Sequence, residues 1–128
     1  MTEESKISMI NAGYDFSGAL ARFVGNEDLY LMFLKKYPDD ANWVKIKPAL
    51  DARDVKEAFA AAHAFKGIAG NLGLTDVFED SKEFLEVLRP FSKEDGAVDE
   101  TIFNKALELY DIMVVKHEKA CEIIKGLE

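Results

Sequence analysis

Apolar residues recur along this chain at the three- and four-residue spacing of helices that bury one side. The segment 55–72 shows it most clearly, because its apolar positions form one stripe on a helical wheel: Val55, Ala58, Ala62, Phe65, Ala69 and Leu72. No run alternates apolar and polar residues as a half-buried strand does. The pattern therefore predicts an all-α protein.

Capping and turn residues divide the pattern into separate helices. Gly25 ends the first main helix, Asn26 caps the second, and Pro38 interrupts it before the next segment. Asp54-Val55-Lys56-Glu57 has the form of a capping box, and Gly73 ends that helix in a left-handed turn. The predicted helical segments are 16–24, 26–36, 39–50, 55–72, 75–89, which halts at Pro90, and 99–126.

The remaining segments complete the predicted architecture. Residues 1–13 form either a loose leader or a short helix, and 90–98 form a polar loop that contains Gly96. Amphipathic helices with short connections bury their apolar sides best against one another. We expect an antiparallel four-helix bundle with extra short N-terminal helices, in a single domain over residues 1–128.

Length and charge restrict the function classes. A chain of 128 residues is one ordinary domain, and its formal charge of −8 argues against nucleic acid or an anionic membrane as the main partner. Cys121 is the only cysteine, so no disulfide framework exists and a reducing compartment fits. The first residues do not predict a signal peptide, and no uncharged apolar stretch approaches the ~20 residues that span a bilayer. We expect a cytoplasmic protein.

One histidine stands on the exposed side of the central helix. His63 lies roughly 140° to 180° around the wheel from the apolar stripe, so it points to solvent or to a partner. Gly67 and Gly70 follow it, although each glycine costs roughly 1 kcal/mol against alanine inside a helix. The residues expected around His63 are Lys56, Phe59, Ala60, Lys66, Gly67 and Gly70.

This arrangement favours phosphoryl transfer. A neutral imidazole is nucleophilic near pH 7, and a phosphoryl group is a natural cargo for a histidine nucleophile. Lys66 could offset the phosphoryl charge, while Gly67 and Gly70 would leave room for a partner's active site. No P-loop or other nucleotide-binding glycine loop occurs. The chain is therefore expected to carry a phosphoryl group rather than take one from ATP, and so is not an enzyme.

The run from His63 to Gly73 resembles the signature of histidine-containing phosphotransfer (HPt) domains of bacterial phosphorelays. It matches at His63, Lys66-Gly67 and Ala69-Gly70-Asn71-Leu72-Gly73, and residues 15–30 are similar to the family's N-terminal helix and turn. The resemblance covers about residues 13–125. Phe59 is the one departure from the family pattern worth noting, because it places an aromatic residue in the turn before the histidine. A smaller or polar residue would be unsurprising at this position.

The resemblance implies a monomeric bundle whose histidine exchanges a phosphoryl group with the aspartate of a receiver domain. It implies phosphorylation of the distal ring nitrogen of His63, with support from Lys66 and Gly67. Phe59, Ala60, Gly70 and Lys56 are the expected partner contacts. No cofactor is expected on this chain, because the resemblance places Mg²⁺ on the receiver. The implied partners are response-regulator receiver domains and a sensor or hybrid histidine kinase.

Other interpretations stay open at this point. The chain could be an adaptor bundle that keeps the fold without using phosphate, or the phosphoacceptor module of a larger chemotaxis-type histidine kinase. Phe59 either docks a receiver or packs against the neighbouring helix. His117 lies on the apolar stripe of the last helix, which favours a core histidine with a local hydrogen bond. A metal site that uses both histidines is not expected, since no third ligand lies at helical spacing.

Overall fold

The computed structural model describes residues 1–93 and 98–128. Within these residues it contains seven α-helices and no strand, which confirms the all-α prediction. Short 3-10 turns at Tyr37–Asp39 and Arg89–Phe91 follow the third and sixth helices. The helices are α1 (Glu3–Asn11), α2 (Phe16–Arg22), α3 (Glu27–Lys36), α4 (Ala41–Asp51), α5 (Val55–Asn71), α6 (Thr75–Leu88) and α7 (Glu100–Lys125).

The predicted helical segments correspond to α2–α7, with small differences at the ends. The segment predicted from residue 39 begins later, because Asp40 accepts a hydrogen bond from the Trp43 N–H (2.9 Å) and caps α4. Of the alternatives for residues 1–13, the structure gives the helix. This segment is not loose, since Met9 is fully buried and the Thr2 N–H donates to the Glu128 carbonyl (2.8 Å). Gly96 lies outside the described residues.

The bundle is built from α4 to α7, each packed against the next in sequence. Three residues join α4 to α5 and three join α5 to α6, so these neighbours run antiparallel. The three N-terminal helices pack in succession, and α3 also contacts α7. The core between the helices contains the largest fully buried side chains: Tyr30, Tyr37, Phe65, Phe84, Met9, Leu34, Ile46, Leu50, Leu74, Leu85, Leu88 and Met113.

Both ends of α5 are fixed by hydrogen bonds. At its start, Asp54 accepts from the Glu57 N–H (3.1 Å), as the capping box predicts. At its end, Arg22 of α2 donates to the Gly70 carbonyl (2.7 Å) and Tyr30 of α3 donates to the Leu72 carbonyl (2.6 Å). These bonds satisfy carbonyls that a helix end otherwise leaves unpaired.

Gly73 ends α5 in the predicted left-handed conformation, with φ of 75°. A Cβ on this residue would lie 2.5 Å from the Asp15 carbonyl oxygen and 3.0 Å from the Ala19 Cβ. Two independent constraints therefore require glycine at this position: the positive φ and the close approach of the start of α2.

His117 is a core histidine, as its position on the α7 stripe predicts. It is 6% exposed, its Nδ1 lies 2.7 Å from the Tyr37 hydroxyl oxygen, and its Nε2 lies 3.4 Å from the Cys121 sulfur. The Trp43 ring stacks on it with centroids 4.1 Å apart. Burial disfavours the charged imidazolium and lowers the pKa of His117 to about 4.

This shift predicts that stability depends on pH through His117. The unfolded chain takes up the proton near pH 6.5 but the folded chain only near pH 4, so stability falls as pH drops through this window. Because of this group, the free energy of unfolding is lower at pH 4.5 than at pH 7 by about 2 kcal/mol. Urea unfolding at pH 7 and pH 4.5 measures it. His117→Gln should show a pH loss smaller by that amount, and equal losses in both proteins would refute the assignment.

Candidate functional site

His63 is exposed on the outward face of α5, opposite the buried stripe. The stripe is buried as predicted, with each of its members at most 7% exposed. Phe59, one turn earlier, stacks against the imidazole with centroids 6.2 Å apart and planes at 24°. The helix therefore presents His63 to solvent with one face of its ring covered by an aromatic neighbour.

The surface next to His63 is bare at Gly67. A Cβ added to this glycine, one turn after the histidine, would meet nothing within 4 Å. Nothing in residues 1–93 and 98–128 therefore explains why alanine, the better helix former, is absent. The open space is what an approaching molecule would need.

Gly70 has a different physical reason. A Cβ there would lie 3.1 Å from Cδ2 and 3.3 Å from Cε2 of Phe78 in α6. The missing side chain thus admits an aromatic ring between α5 and α6. This packing gives Gly70 a reason within the bundle, and its expected contact with a partner stays a prediction.

Lys66 lies against the same ring. Its Nζ is 5.8 Å from the Phe78 centroid, within the range of a cation–π interaction. Among residues 1–93 and 98–128, no carboxylate oxygen lies within 4 Å of this ammonium. Its charge is therefore not neutralised by an ion pair in the part of the chain that the structure describes.

Arg89 was not identified from the sequence. Its guanidinium carbon lies 5.3 Å from the Phe59 centroid, so the 3-10 turn after α6 places a cation on the ring that stacks on His63. Arg89 also pairs with Glu86 (3.1 Å), but both side chains are exposed and such a pair is weak. The one sequence signal is a basic residue at a helix end, which is common and therefore does not distinguish it.

Of the two interpretations of Phe59, the contacts within the chain show the packing, and docking to a receiver stays a prediction. The ring is half-buried and packs against the core, and it also carries Arg89 on its surface. Lys56 and Ala60 are exposed on α5, as predicted. Lys56, Lys66 and Arg89 give the face around His63 several positive groups, although the chain has a formal charge of −8.

No three histidine, cysteine or acidic side chains in residues 1–93 and 98–128 are placed to hold a metal ion. In the same ranges, no helix has the length and apolar character needed to cross a membrane.

The model of the Hpt domain family matches residues 28–114. The chain belongs to the Hpt domain family. Hpt domains are helical bundles that carry phosphoryl groups in the histidine phosphotransfer steps of phosphorelays, where they interact with receiver domains and kinases. Comparison with curated proteins gave no significant match, and neither did comparison with solved structures.

The matched range of this Hpt domain begins in α3 and ends within α7. It contains one of the two histidines of the chain, His63, and ends before His117. The Hpt domain thus has an exposed histidine inside the family match and a buried one beyond it.

Proposed function

We propose that this Hpt domain accepts a phosphoryl group on His63 from the aspartyl phosphate of a receiver domain and delivers it to the aspartate of another. The observation that carries the proposal is the exposed His63 beside the open space at Gly67. His117 is unsuited to this role, because it is buried and both its ring nitrogens have close partners.

In the transfer itself, bonds form and break only at an imidazole nitrogen, the phosphorus and the donor carboxylate. The lone pair of the distal nitrogen of neutral His63 attacks phosphorus, and the N–P bond forms as the P–O bond to the donor aspartate breaks. The carboxylate leaves with the bonding electrons, and the ring proton on the other nitrogen then leaves to solvent. Delivery to a second receiver is the reverse reaction.

The cations near His63 support this step. A phosphoryl group in transfer carries negative charge on its oxygens, and nearby positive groups stabilise it. Lys66 is three residues after His63, and Arg89 stands on the Phe59 ring that stacks on the imidazole. We assign Lys66 and Arg89 to charge support and Gly67 to steric clearance. The receiver contributes Mg²⁺, and this chain acts as a monomeric carrier.

A groove beside α5 offers a docking surface for the receiver. Phe23, Phe33 and Ile68 line it, with the basic side chains of Arg22 and Lys36, and it encloses about 490 Å³. Phe33 remains 42% exposed, although it stacks on Phe23 with centroids 5.4 Å apart. Asp40 also lines the groove, but the two basic residues outnumber it, so this apolar patch suits an acidic partner that also has an apolar surface.

Phe33→Asp should weaken docking without changing the chemistry at His63. The substitution puts a carboxylate on the apolar patch, so we expect the receiver concentration at half-maximal rate to rise about tenfold, as a loss of ~1.4 kcal/mol implies. The maximal transfer rate should be unchanged. Transfer rates over a range of receiver concentrations separate the two effects. Val44→Asp, at an exposed apolar residue of α4, is the matched control. Equal effects of both substitutions would contradict this docking surface.

The proposed function is tested by transfer from a receiver that carries radioactive phosphate on its aspartate. We expect the label to appear on the wild-type chain and to show the lability in acid and stability in base of a phosphoramidate. An adaptor bundle that does not use phosphate would bind the receiver and stay unlabelled. Absence of label with every cognate receiver would refute the proposal.

A further inference from the structure

The position of Lys66 gives its ammonium two alternative partners. Long side chains on a helix tend to lean toward its N-terminus, and for Lys66 this direction leads to His63, one turn earlier. In the structure the ammonium instead lies 5.8 Å from the Phe78 centroid. The unphosphorylated chain therefore has Lys66 engaged with an aromatic ring of α6.

The Phe78 ring is placed toward the far end of α5. It lies against Gly70, since a Cβ there would come within 3.1 Å of it. Gly70 follows His63 by seven residues, which is about 10 Å along the helix axis. Contact with this ring thus holds the ammonium on the α6 side of α5, against a ring that packs on Gly70 rather than at the level of His63.

We infer that Phe78 is a positioning residue that competes with the phosphoryl group on His63 for the Lys66 ammonium. The inference rests on the proposed function. When His63 is unmodified, Lys66 rests on Phe78, and when it is phosphorylated, Lys66 leaves the ring for the phosphoryl oxygens. The contact between Lys66 and Phe78 is lost when His63 is phosphorylated, so Phe78 shifts the transfer equilibrium toward the phosphorylated receiver.

Removal of the ring should therefore favour the phosphorylated chain. For Phe78→Leu we expect the equilibrium ratio of phospho-His63 to phospho-receiver to rise about two- to fivefold, which corresponds to about 0.5–1 kcal/mol for an exposed cation–π pair. The ratio is read from the distribution of radioactive phosphate after mixing. Phe78→Tyr keeps an aromatic ring and should retain the wild-type ratio. A fall or no change in Phe78→Leu would overturn the inference.

Removal of the Lys66 charge distinguishes competition for its ammonium from a structural role of Phe78. Lys66→Met keeps the aliphatic stem but removes the ammonium, so in this background Phe78→Leu should leave the ratio unchanged. A rise that persists there would assign the effect to packing and overturn the inference. Circular dichroism and urea unfolding confirm that each variant is folded. Failure of the wild type to take up phosphate would refute the proposed function itself, whereas a labelled wild type without the Phe78 effect would refute only this inference.

Discussion

We expect His63→Gln to abolish uptake of phosphate from a phospho-receiver and to leave the fold intact. Glutamine is a good helix former and lacks a ring nitrogen able to form the N–P bond. His63 is exposed and makes no hydrogen bond to the described residues, so its replacement should change the unfolding free energy by less than about 0.5 kcal/mol. Label transfer and urea unfolding measure the two effects.

His117→Gln is the matched control, because it removes the other histidine. We expect this variant to keep wild-type labelling at pH 7, since His117 is buried between α4 and α7 and takes no part in transfer. Its loss of unfolding free energy between pH 7 and pH 4.5 should be smaller than that of the wild type, as stated above. Residual label on His63→Gln, or loss of label with His117→Gln in a folded chain, would show that the phosphoryl group is carried elsewhere.

We expect Gly67→Leu to slow phosphotransfer by about ten- to a hundredfold, the equivalent of about 1.4 to 2.7 kcal/mol. The substitution starts from an open position, because a Cβ at Gly67 meets no atom of the described residues within 4 Å. The leucine would instead occupy the space next to His63 that a receiver must enter. Helix stability should rise rather than fall, since glycine is the poorer helix former. Transfer kinetics and circular dichroism report the two results separately.

Two further variants control for size and position. Gly67→Ala should stabilise the chain by about 1 kcal/mol, with a smaller effect on transfer than leucine. Ala41→Leu adds apolar bulk at an exposed position of α4 and should leave the rate unchanged. If Gly67→Leu transfers at the wild-type rate, the open space at Gly67 has no role in partner approach.

The helices and the exposed position of His63 could be predicted because they depend on local signals. The apolar stripe from Val55 to Leu72 fixes which side of α5 is buried, and that alone places His63 on the opposite side. The caps at Asp54 and Gly73 are equally local, since each follows from one residue type at a helix end. The structure confirms all of these features.

Contacts between helices could not be predicted in the same way. Periodicity gives the buried face of each helix but not which residues meet across an interface, so the pairing of Gly70 with Phe78 was missed. The same limit hid Arg89, which reaches Phe59 from a helix thirty residues later in sequence. The N-terminal segment was ambiguous because its short helix is held by tertiary contacts, such as the bond from Thr2 to Glu128, rather than by a strong apolar stripe.

The most direct test of the central claim is to locate the phosphoryl group on the wild-type chain after transfer from a phospho-receiver. Mass spectrometry under non-acidic conditions, with fragmentation that preserves the N–P bond, identifies the modified residue. The account predicts one phosphoryl group per chain, on the imidazole of His63. A phosphoryl group on His117 or on any other residue, or an unmodified chain, would contradict it.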